Sequence, residues 1–154
     1  MSRRDQIVLT PEEADAFLAE QRIVTCATFG PRGWPHLMPL WYVVREGTLW
    51  AWTYAKSQKT RNLERDPRCT LQVETGGDVY SELRGIMIEA EAVIHRDPDT
   101  VVGVGADLTE RYGGAQVSPE AMEAMRRQAA KRVAFEFRER RRSTWDHRKL
   151  GGTY

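Results

Sequence analysis

The sequence is poor in cysteine. Cys26 and Cys69 are the only two in 154 residues, too few for a disulfide framework or a zinc-ligand spacing, and each sits inside an apolar, strand-like run that suits a buried reduced thiol. No segment approaches the ~18 consecutive apolar residues of a membrane-spanning helix. An excess of one charge is also lacking: 23 Lys and Arg stand against 22 Asp and Glu, a net charge of +1. A wholesale polyanion binder is normally more lopsided, so neither nucleic acid nor membrane is expected as a partner. The opening residues carry Arg3 and Arg4 but no apolar stretch and no small-residue cleavage site, so a cytoplasmic location is expected. Short catalytic signatures are missing too. There is no GxxxxGK phosphate loop, no GxSxG elbow and no HExxH, and His36, His95 and His147 are scattered, so no metal is expected. Where acid, base, nucleophile and metal are all inconspicuous, a bound cofactor often carries the chemistry.

What remains is an ordinary globular composition, 41% hydrophobic and 29% charged, with no repeat and no linker, which reads as one domain over 1–154. Thr10-Pro11-Glu12-Glu13 is a cap, an N1 proline and a capping-box glutamate, and predicts a helix over about 11–21. Strands follow at 23–29, 37–44 and 48–54, separated by Gly30-Pro31-Arg32-Gly33 and Arg45-Glu46-Gly47. A polar helix over 56–66 ends at Pro67. Strands at 69–74 and 80–95 come next, then helices opened by Asp97-Pro98 and Ser118-Pro119, then a sixth strand at 133–137. Hairpin turns this short disfavour a doubly wound parallel sheet. The expectation is a mainly β chain: a small six-stranded antiparallel barrel with peripheral helices, and a basic segment, 138–154, docking on the barrel or on a partner subunit.

Two patterns point to chemistry. The helix after strand three begins with Lys56-Ser57-Gln58-Lys59, and a helix N-terminus with a hydroxyl and two cations suits a phosphate. Aromatic rings gather just before it: Trp34, Trp41, Tyr42, Trp50, Trp52 and Tyr54. Some of these rings must be core packing, and the rest form a platform suited to a large aromatic cofactor.

The stretch Thr53 to Pro67, with Ser57, Lys59, Leu63 and Pro67 in order, resembles the split-barrel flavin-binding superfamily of pyridoxamine 5′-phosphate oxidase. Gly33-x-Pro35-His36-x-x-Pro39-x-Trp41-Tyr42 is similar to the strand that lines the isoalloxazine ring there. Tyr80-x-x-x-Arg84-Gly85 and Trp145-Asp146-His147-Arg148-Lys149-Leu150 are similar to an actinobacterial branch that contains reductases dependent on the deazaflavin coenzyme F-420. The resemblance covers about positions 12–150. It implies a six-stranded split barrel and a homodimer with two cofactor sites at the interface. Lys59 would be the leading phosphate ligand, supported by Ser57, Lys56 and Asn62. Pro39, Leu40 and Trp41 would present backbone to the ring, Trp52 and Thr53 would adjoin it, and Tyr80 and Trp145 would close the pocket from the partner chain. The oxidase proper carries an arginine and a lysine on the ring-lining strand. Here that stretch reads Leu37-Met38-Pro39-Leu40-Trp41-Tyr42, which disfavours pyridoxamine-phosphate oxidation and weakens the case for FMN. Lys56 and the basic C-terminal run would suit the lactyl phosphate and polyglutamate tail of F-420. The implied activity is hydride transfer from the reduced deazaflavin to a small conjugated acceptor, with no catalytic residue assigned. The alternatives are an FMN-binding oxidoreductase and a non-catalytic flavin- or deazaflavin-binding protein.

Overall fold

A computed structural model describes residues 2–151; Met1 and residues 152–154 of the expected basic segment lie outside the described residues. Seven strands run antiparallel in one sheet: β1 Val24–Phe29, β2 Pro35–Leu40, β3 Val43–Arg45, β4 Thr48–Tyr54, β5 Arg68–Thr75, β6 Arg84–His95 and β7 Arg132–Asp146. Their order is β2-β1-β5-β6-β7-β4-β3. The sequence-adjacent β2 and β3 therefore lie at opposite edges. In a flat sheet those edges would be ~29 Å apart, at six strand spacings. The chain from Leu40 to Val43 reaches at most ~11 Å. The sheet must curl until its two edges face each other, which makes a barrel left open along one seam.

Seven strands replace the six expected, because the stretch read as one strand over 37–44 is broken at Trp41-Tyr42. There the backbone leaves the ladder: the Tyr42 N–H donates to the Tyr112 hydroxyl (3.1 Å), and its carbonyl accepts from Arg111 and Tyr112. The stretch expected to be a basic tail after residue 137 instead continues as strand to Asp146, paired with β6 along its length and bulged at Glu89/Ala90.

Four helices matter for the site: α1 Pro11–Glu20, α2 Gln58–Arg65, α3 Pro98–Gly113 and α4 Pro119–Ala129. Thr10, Ser57, Asp97 and Ser118 cap them, and α1, α3 and α4 each carry proline in the first turn. Glycine ends α3, where Gly114 adopts φ 75°. Alternate residues of β1, β4, β5, β6 and β7 fill the barrel, including Val24, Cys26, Ala51, Leu71, Ile86 and Phe135, all but sealed from solvent. Phe17 and Leu18 of α1 and Leu63 of α2 join that core. A second core forms outside the barrel, where α3 and α4 cover Val43, Trp50, Trp52 and Ala134.

Candidate functional site

The open seam is the first feature of the site. β2 is paired only with β1, and β4 is paired on its far side with β7 and on its near side with β3 over Thr48–Trp50 alone. Extending the β3–β4 register would set Trp41, Leu40 and Pro39 against Trp52, Thr53 and Tyr54. No ladder forms there, so two strand edges face one another with backbone N–H and C=O groups unspent. Met38 points to the barrel side with Cys26, its register partner, yet is 40% exposed. The seam is open to solvent at that level.

α2 follows directly on β4 and lies along β1. Arg65 donates to the Phe29 carbonyl at 2.5 Å. Asn62 donates to the Thr28 hydroxyl at 3.0 Å and accepts from Gln58 at 2.8 Å. One turn earlier, Lys59 lies beside Cys26, is 8% exposed, and makes no hydrogen bond or ion pair among the described residues. Burial pulls its pKa below the ordinary lysine value, with the Cys26 thiol opposing weakly. A buried ammonium without a counter-charge is costly, and an anion arriving at the seam would relieve it. His36, on the same face of β2 as Met38, has a buried Nδ1 without a partner. Sequence reading missed His36 as a candidate; its inward position in the β2 alternation was the available signal.

Nine of the eleven residues expected at a cofactor divide into four groups. Lys59, Leu40, Pro39 and Trp41 line the seam or its mouth, and Trp41 is 57% exposed with one face stacked on Tyr112 at 4.3 Å. Lys56 is exposed, and Ser57 serves as the cap of α2, accepting from the Thr60 N–H at 3.4 Å. Asn62 is completely buried and anchors α2 to β1. Thr53 is buried on the barrel side of β4, whereas the Trp52 ring packs away from the seam against α3, where a Cβ on Gly105 would lie 2.5 Å from it.

Tyr80 and Trp145 are not brought to the seam within one chain. Trp145 covers Gly85 on the outer sheet face, and Tyr80 stands 59% exposed against the edge of His147. The basic run is largely neutralised where it stands: Arg138, Arg140, Arg142, Arg148 and Lys149 each pair with a carboxylate.

A family profile described as pyridoxamine 5′-phosphate oxidase matches residues 10–146. The chain belongs to this family. No curated protein matches the sequence. Among solved structures, the conserved hypothetical protein Rv2991 from Mycobacterium tuberculosis is 40% identical, with a TM-score of 0.90 over 100% of this chain and 95% of that one. An F420 reductase is 24% identical, with a TM-score of 0.67 over 87% of this chain and 98% of that one. HutZ, a heme storage protein from Vibrio cholerae, is 18% identical, with a TM-score of 0.67 over 88% and 93%. The last two share the fold alone, and they show that this pyridoxamine 5′-phosphate oxidase-like architecture serves both oxidoreductases and binding proteins.

Proposed function

We propose that the protein is an oxidoreductase that uses coenzyme F-420 and works as a homodimer, with a cofactor site at each end of the interface. The observation that carries this reading is Lys59, a buried cation without a counter-charge at the end of an open seam. Lys59 would hold the cofactor phosphate, with the free N–H groups at the start of α2 and the exposed Lys56 beside it. The unspent backbone edges of Pro39–Trp41 and Trp52–Tyr54 fit a planar heterocycle whose rim alternates donors and acceptors. Trp41 offers a partly exposed ring beside them.

The apolar character of Leu37 to Trp41 favours the deazaflavin over FMN, because no side-chain cation stands on that strand. When bound, the reduced deazaflavin supplies a hydride to an electrophilic conjugated acceptor. The chain's part is to hold the ring, orient the acceptor and exclude water. A second copy would supply Tyr80 and Trp145, which within one chain pack against His147 and Gly85. Exposed Phe29, Leu37 and Pro39 lie on the outer sheet face that such a copy would cover. Fluorescence titration with F-420 and, separately, FMN tests the reading. Tight binding of F-420, followed by transfer of deuterium from the reduced cofactor into product, is expected. Binding of FMN in preference to F-420 would replace it with the flavin alternative.

A further inference from the structure

Arg132 opens β7 opposite Tyr54 of β4. Its guanidinium lies between two rings, 4.4 Å from the Trp52 centroid and 4.2 Å from that of Tyr54. Its Nε is buried and has no hydrogen-bond partner among the described residues. Later arginines on the same strand behave differently: Arg138, Arg140 and Arg142 each hold a glutamate. Buried donors are nearly always satisfied, so an orphan on a charged group calls for a partner. The two rings flank the guanidinium, whose planar set of N–H donors is of the kind that grips carboxylate and phosphate.

The same side chain borders a cavity of about 610 Å³, shared with Tyr54, Ala124, Arg127, Gln128 and Lys131. Among the described residues no carboxylate lines it. Arg127 has one long, exposed ion pair, to Glu123 across a helical turn at 3.7 Å. Lys131 commits its backbone to Ala55 and Gln128 while its amine stays exposed. The C-terminal end of α4 also points here and opposes an anion with a partial charge of about −0.5, which three cations outweigh. Trp52 and Tyr54 lie on the outer side of β4, opposite the barrel interior that Lys59 enters.

We propose that Arg132, with Lys131 and Arg127, forms an anion site separate from Lys59 that takes the carboxylate or phosphate group of a small ligand. The Arg132 Nε–H resonance of ¹⁵N-labelled protein reports on it directly. Inorganic phosphate and succinate, titrated at constant ionic strength, are expected to shift that resonance saturably, and the tighter of the two names the class of ligand. Lys131→Ala, which leaves the stacked guanidinium in place, should weaken the response about tenfold, the effect of losing one charge-assisted contact. The phosphate response should persist in Lys59→Met. Absence of saturable shift with both anions, a response unaltered by Lys131→Ala, or its loss in Lys59→Met would each overturn the assignment.

Discussion

Asn62→Ala removes the buried side-chain hydrogen bond that ties α2 to β1. Asn62 is fully buried, and its amide donates to the Thr28 hydroxyl at 3.0 Å in a buried setting. Stranding the partner of a buried hydrogen bond costs ~1–3 kcal/mol, and deleting the amide leaves a void worth ~1 kcal/mol more. The bond from Gln58 adds little, since that exposed amide returns to water. The total, ~2–4 kcal/mol, corresponds to a fall in Tm of ~5–15 °C for a chain of this size. Urea unfolding should show a lower midpoint with an unchanged slope. Thr28→Val combined with Asn62→Leu removes both partners and should cost less than the sum of the single changes by ~1–2 kcal/mol. A loss below ~0.5 kcal/mol in Asn62→Ala, or an additive cycle, would refute the view that this contact fixes α2.

Further outcomes follow from other contacts. Gly85→Ala places a Cβ 2.2 Å from the Trp145 ring; the ring must move, with a loss of ~1–3 kcal/mol and a shift in tryptophan emission. The hydrogen-bonded Arg148 guanidinium holds the Asp146 carboxyl below its ordinary value against burial. A depressed carboxylate stabilises the fold above its unfolded pKa and loses that contribution as pH falls through the folded value. Arg148→Met should therefore move the acid-unfolding midpoint to higher pH, read by circular dichroism. Lys59 has the opposite balance. Its folded pKa is depressed, so the folded state binds fewer protons than the unfolded one between the two values, and stability should rise with pH across that window while affinity for an anionic ligand falls. Light scattering should give twice the mass of one chain; the monomer mass would contradict the dimer.

Much of this was legible because the signals are local. Thr10, Asp97 and Ser118 with their following prolines mark helix starts that the structure keeps. Lys59 was legible by type and spacing, but its isolation from any carboxylate is a tertiary fact. The break at Trp41-Tyr42 was hidden because it depends on Arg111 and Tyr112, far along the chain. The basic run after Phe137 looked like a tail because part of its pairing, with Glu91 by strand and Glu13 by helix, comes from other elements. The packing of the Trp52 ring was hidden for a similar reason. Alternation gives its face, but only α3 decides that this face is covered.

The most direct test of the central claim is Lys59→Met, measured for both binding and stability. If the ammonium is held buried for a ligand, the apolar replacement leaves the ligand-free protein at least as stable and weakens F-420 binding roughly tenfold to a hundredfold, the worth of one charge-assisted contact. Unchanged F-420 affinity with a lowered Tm would contradict the account, since Lys59 would then serve the fold and not the ligand.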